Sequence, residues 1–236
     1  MRGAYLRLTA EKRQNDREKG ILQCPFYGDQ MKKELDYFQV EHLYGGCQDW
    51  FTDPMMKMGG CAAIAACESC IYFDLHYGTK LYPFEKNRLG RKDYIDFGRK
   101  MKPYLHPRIS GIDTLEIYMD GFARYLQDYG GRKVRMEPLH GDREAAEAKN
   151  ALKRQIDQGL LIPCLLLKHQ DPVFEDYVWH WFLLTGYEEA REHFLVKAVS
   201  YGNWKWLDFD RMWDTGYKRK GGLILYQLQQ NEGLFI

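Results

Sequence analysis

No apolar run in this sequence of 236 residues approaches the roughly twenty residues a helix needs to cross a bilayer, so no membrane span is expected. Neither the G-x-G-x-x-G fingerprint of dinucleotide sites nor the G-x-x-x-x-G-K-[ST] phosphate loop is present, which argues against a nucleotide cofactor. Net charge is nearly absent too. The 34 Lys and Arg residues face 33 Asp and Glu, giving +1, and no global field draws the chain to nucleic acid or to an anionic membrane. Any ligand must therefore be recognised locally. The first residues carry Arg2, Arg7, Lys12 and Arg13 without the apolar centre of a signal peptide, so a cytoplasmic location is expected. In that compartment the six cysteines, at 24, 47, 61, 67, 70 and 164, are reduced thiols.

What the sequence does contain is a substantial apolar fraction, 45%, in a chain long enough to bury most of the surface it would expose unfolded. Residues 1–20 are charged with few apolar positions after Leu8, and read as a leader that frays or lies peripherally. Residues 21–236 read as a single domain with a helical insert around 79–158. Leu35 to Phe38 reads as helix-like. Further helices are expected from Lys92 to Met101, over 111–127, where apolar residues recur at helical spacing, and from Asp142 to Gln158. Strands are expected over 160–167, 177–187, 193–201, 204–208 and 221–229, with a short helix at 209–214. Glycine-bounded connections between the late strands favour an antiparallel meander.

Two stretches concentrate chemistry. In Gly59-Gly60-Cys61-Ala62-Ala63-Ile64-Ala65-Ala66-Cys67, a cysteine follows two glycines and opens an apolar helix. A thiol at a helix N-terminus meets unpaired backbone N–H groups and the positive end of the helix dipole, both of which favour the thiolate. Gly45-Gly46-Cys47 repeats the triplet, but only Cys61 launches a helix, so Cys61 is the preferred nucleophile. Far downstream, Tyr177 to Tyr187 reads as a strand buried on both faces, and His180 is the titratable group of its first half. A cysteine at a helix start and a distant strand histidine are the arrangement in which a thiolate meets an imidazolium. Cys67 and Cys70 form a C-x-x-C, but they fall on an apolar helix face and no second ligand pair exists. They are expected to be packing residues, with no metal bound.

On Gly60-Cys61-Ala62, on His180-Trp181-Phe182-Leu183-Leu184-Thr185-Gly186-Tyr187 and on Val196-Lys197-Ala198-Val199-Ser200-Tyr201-Gly202, the chain resembles the papain-like cysteine peptidases. Within them it is most similar to the bacterial group related to the double-glycine leader peptidases. Lys102-Pro103-Tyr104-Leu105 and Trp213-Asp214-Thr215-Gly216 resemble segments of a bacterial family to which no activity is attached, and imply none. The papain-like resemblance implies an α+β fold with N-terminal helices, the nucleophile helix packed on a twisted antiparallel sheet from the C-terminal half. It further implies hydrolysis of a peptide or amide substrate by Cys61 and His180, and an oxyanion-hole glutamine shortly before the cysteine. Gln48 is the candidate for that role, although it precedes Cys61 by thirteen residues. Where the family has its orienting asparagine this chain has Val199, leaving Asn203, Asp208 and Ser200 as possible partners for the imidazole, with Asn203 preferred. A binding module that kept the fold without turnover and a thiolate acyltransferase share these residues.

Overall fold

The structure is a computed structural model that describes residues 31–130 and 133–229. The charged leader expected over 1–20 lies outside the described residues.

The chain begins with β1 (Met31–Glu34), then a small hairpin of β2 (Gln39–Val40) and β3 (Leu43–Tyr44), and a 3-10 turn over Gln48–Trp50. Helices α1 (Pro54–Gly59), α2 (Cys61–Tyr77), α3 (Arg91–Met101) and α4 (Leu115–Asp128) follow. Then come β4 (Val134–His140), α5 (Ala145–Asp157), β5 (Ile162–Leu166), β6 (His180–Ala190), β7 (His193–Ser200), β8 (Asn203–Asp208), α6 (Phe209–Trp213) and β9 (Gly222–Leu228). The fold class is α+β.

Seven strands among the described residues form one antiparallel sheet in the order β4-β9-β5-β6-β7-β8, with β1 added to β6. Strand β6 organises it. Its first half pairs with β5 and its second half with β1 on the same edge, while β7 runs along the other. Gly186 marks the change of partner, where a Cβ would come within 2.8 Å of the Lys33 carbonyl oxygen. The expected meander holds for β6, β7 and β8. It stops there, because β9 returns to sit between β4 and β5. Strand β4 was not anticipated from the sequence, and the 79–158 stretch therefore contributes a sheet strand as well as helices. The Leu35–Phe38 segment is not helical; it is an extended link whose Leu35 N–H donates to the Thr185 carbonyl.

Helix α2 is buried along almost its whole length and packs on β6. A helix apolar all round has no solvent face to offer and must lie in the core. It starts where α1 ends. Asp53 caps α1 by accepting from the N–H groups of Met55 (3.0 Å) and Met56 (3.3 Å), Pro54 supplies a first-turn residue that needs no donor, and Lys102 pairs with the cap carboxylate. Gly59 and Gly60 then permit close approach. A Cβ on Gly59 would lie 2.5 Å from the Arg108 carbonyl oxygen, and one on Gly60 2.4 Å from that of Met56. Their requirement is space for backbone, since neither has positive φ. At the far end Gly78, in the left-handed conformation, stops the helix.

Candidate active site

Cys61 occupies the first helical position of α2, 6% exposed, and His180 opens β6, 7% exposed. The two line one cavity, together with Gln48, Glu68, Ser200 and Tyr201. Its volume is about 20 Å³, the room a single water needs. The backbone N–H groups of Trp181, next to His180, of Ala62 and of Cys61 itself pull the Cys61 thiol toward ionisation. Cys47, the cysteine of the other Gly-Gly-Cys, lines a neighbouring groove instead.

Two anchors fix His180. Trp179 before it adopts a left-handed conformation (φ 55°) and donates its N–H to the Leu167 carbonyl at 2.8 Å, turning the chain into β6. Trp181 after it donates its indole N–H to the Ile112 carbonyl at 2.6 Å and stacks on Tyr118, ring centroids 4.4 Å apart. The imidazole Nε2 lies 2.6 Å from Ser200 Oγ, and its face stacks on Tyr201 at 4.9 Å with the planes 9° apart. Because a serine hydroxyl both donates and accepts, it serves the neutral ring and the imidazolium alike.

The structure does not bring the preferred Asn203 to the ring. Asn203 is exposed and its side-chain oxygen accepts from the Trp204 N–H at 2.8 Å, while Asp208 caps α6 by accepting from the Arg211 N–H at 3.0 Å. Each gives one side-chain oxygen to local backbone. Ser200, the last residue of β7, is the partner.

Gln48 lies in the cavity wall, 4% exposed, but its amide is turned otherwise than an oxyanion donor requires. Nε2 donates to the carbonyls of Met56 (3.1 Å) and Lys57 (3.0 Å), and Oε1 is buried without a partner among the described residues. Exchanging the two ends would set Oε1 against two carbonyl oxygens. As placed, Gln48 ties the 48–50 turn to α1.

Glu68 was missed by the sequence reading. Two turns along α2 from Cys61 and fully buried, it accepts from the Tyr37 hydroxyl (2.5 Å), the Tyr94 hydroxyl (2.8 Å) and the Gly46 N–H (2.8 Å). Burial raises its pKa against the opposing pull of these donors. The first Gly-Gly owes its presence to this cluster, since a Cβ on Gly46 would lie 2.0 Å from the Tyr94 ring. The available signal was a single acid inside an otherwise apolar helix start.

Electrostatically the resting pair is neutral. Burial drives the His180 pKa down to about 4, and burial pushes the Cys61 thiol up despite the backbone N–H groups that pull it down. The helix-start argument is correct in sign, but desolvation outweighs it. Cys67 and Cys70 sit in the core, their thiols pushed well up by burial. Among the described residues no group of His, Cys, Asp or Glu could hold a metal ion, and no helix is long and apolar enough to cross a membrane.

No protein-family model matches the chain, and no match is found among curated proteins or solved structures.

Proposed function

We propose that the protein is a cysteine hydrolase of papain-like type acting on a peptide or amide. The observation that carries this reading is the cavity shared by Cys61 at the start of α2 and His180 at the start of β6, with Ser200 on the far nitrogen of the ring. In the reaction the Cys61 proton passes to His180 Nδ1 as the sulfur attacks the carbonyl carbon, and the negative oxygen is held by backbone N–H groups at the head of α2. The carbon–nitrogen bond then breaks as His180 returns that proton to the leaving amine, giving a thioester. Water, deprotonated by His180, attacks the thioester carbon, and the sulfur leaves with the proton. Ser200 holds the ring in place through both steps.

A binding module of the same architecture is the second reading. The neutral resting pair, the small cavity and the committed Gln48 N–H groups favour it. Incubation with a peptidyl chloromethyl ketone followed by peptide mapping separates the two. The hydrolase reading expects the adduct on Cys61, slowed in His180→Ala, whereas adducts spread over Cys47 and Cys61 with no effect of His180→Ala would leave the binding module.

A further inference from the structure

We propose that the groove beside Tyr201 receives the leaving-amine side of the substrate and selects a lysine or arginine side chain there; this rests on the hydrolase reading. The groove has a volume of about 470 Å³ and meets the Cys61–His180 cavity at Ser200 and Tyr201, which line both. Both lie against the imidazole, Ser200 at Nε2 and Tyr201 on its face. The proton released in amide cleavage goes from His180 to the leaving nitrogen, so the amine half of the substrate must lie on the imidazole's side of the scissile bond. The groove borders that imidazole across Ser200 and Tyr201.

The chemistry of the walls names the side chain. Asp49 and Asp176 bring two carboxylates against the single ammonium of Lys205. Lys205 pairs with Asp176 at 3.5 Å, but both side chains are more than half exposed, and such pairs contribute little and exchange readily. Asp49 has no ion pair among the described residues. Two aromatic rings complete the surface: Tyr201, 47% exposed, and Trp204, 43% exposed. Trp204 already takes one ammonium, that of buried Lys197, at 4.5 Å from its ring centre. A guanidinium or ammonium is the group that gains from ring faces and from an unpaired carboxylate together. An anionic side chain would meet two carboxylates and a single ammonium, that of Lys205, already paired with Asp176.

The probes are Arg-Ala amide, Glu-Ala amide and Leu-Ala amide, which mimic a released amine product, titrated into the full chain carrying Cys61→Ala. Binding is read from the indole N–H signal of Trp204 by NMR. Arg-Ala amide is expected to bind about tenfold tighter than the other two, an advantage that Asp49→Asn reduces to about threefold or less and that added salt erodes. Asp49 is exposed and outside the catalytic pair, so that variant keeps the fold. Equal binding of the three probes, binding that leaves the Trp204 signal unmoved, no binding at millimolar probe, or a preference indifferent to Asp49→Asn would each overturn the assignment. Because no turnover is needed, arginine-selective binding beside a wild-type chain that never cleaves would retire the hydrolase reading and leave the groove's selectivity standing.

Discussion

Ser200 Oγ and His180 Nε2 lie 2.6 Å apart, joining the end of β7 to the beginning of β6. A partner there fixes the plane of the ring and stabilises it when it is charged. The first prediction follows. Ser200→Ala removes a hydrogen bond to a group that becomes cationic in the reaction, a contribution of about 1.5–3 kcal/mol, so turnover falls roughly ten- to hundredfold. Asn203→Ala should leave the rate within about twofold of wild type, and so should Asp208→Asn, which keeps a capping side chain. Steady-state kinetics on the three variants decide it; equal losses in all three would remove Ser200 from the special position given to it.

The second prediction concerns pH. His180 has a pKa of about 4 in the folded chain against an ordinary value of 6.5, because burial penalises the charged ring. The unfolded chain therefore binds the extra proton first. Stability is fully present above about pH 6.5 and declines as the pH falls toward about 4, by an amount on the order of 3 kcal/mol from this group. Denaturant titrations of wild type and His180→Gln at pH 7 and pH 4.5 test it, since the variant should lose the part of the slope that His180 supplies. Cys61 acts at the other end of the pH scale: burial raises its thiol, the unfolded chain gives up the proton first, and the stability present below the ordinary thiol pKa is lost as the pH rises above it until the folded chain itself ionises. Its alkylation by iodoacetamide in the resting protein should keep climbing above neutrality, where a preformed thiolate would already have reached a plateau.

Cys61 at a helix start, His180 on an inner strand and most of the late strands were legible because each rests on a local pattern: a glycine-to-apolar switch in one case, a run apolar on both faces and closed by glycine in the other. β1 and β4 were not. The sequence Met31-Lys32-Lys33-Glu34 is wholly exposed and Val134 to His140 is mostly so, with Pro138 within it, so both are strands because β6 and β9 pair with them and not because of their own composition. The partner of His180 was misjudged for a related reason. A two-residue turn at Tyr201-Gly202 fixes where Ser200 ends, and a hydrogen bond across two strands depends on that end more than on which residue is the more polar. The sign of the Cys61 pKa shift turned on burial, which depends on the neighbours of α2 and not on the residues around the cysteine.

The third prediction tests Glu68. Its carboxylate is the common acceptor for Tyr37, Tyr94 and the Gly46 N–H, and it joins the loop that carries Gln48 to the helix that carries Cys61. Glu68→Ala orphans three buried donors at about 1–3 kcal/mol each, so a loss of at least about 3 kcal/mol is expected, enough to threaten folding. Glu68→Gln keeps one acceptor and introduces an amide donor where only donors converge. It should be intermediate in stability and should loosen the Gln48 turn, read as faster hydrogen exchange at the Gly46 and Cys47 amides. Unchanged stability in Glu68→Ala would mean that water substitutes for the carboxylate and that the cluster holds nothing together.

Tyr201 carries the last prediction. With Gly202 it forms the two-residue connection between β7 and β8, and both have positive φ, 52° and 72°. That is the type I′ pattern, in which Asn-Gly is the favoured pair and a bulky aromatic at the first position costs about 1–3 kcal/mol. The ring nonetheless stacks on His180 and closes the small cavity toward the groove. Tyr201→Asn relieves the backbone and uncovers the imidazole. Its melting temperature should rise or hold, the His180 pKa should move up from about 4 toward 6.5 as water reaches the ring, and alkylation of Cys61 should accelerate several-fold. Tyr201→Phe keeps the ring and should match wild type in all three. Proton NMR titration of the His180 ring gives the decisive reading, because a stabilised Tyr201→Asn with an unmoved His180 would show that the burial of the imidazole comes from the strands alone and that the ring closes nothing.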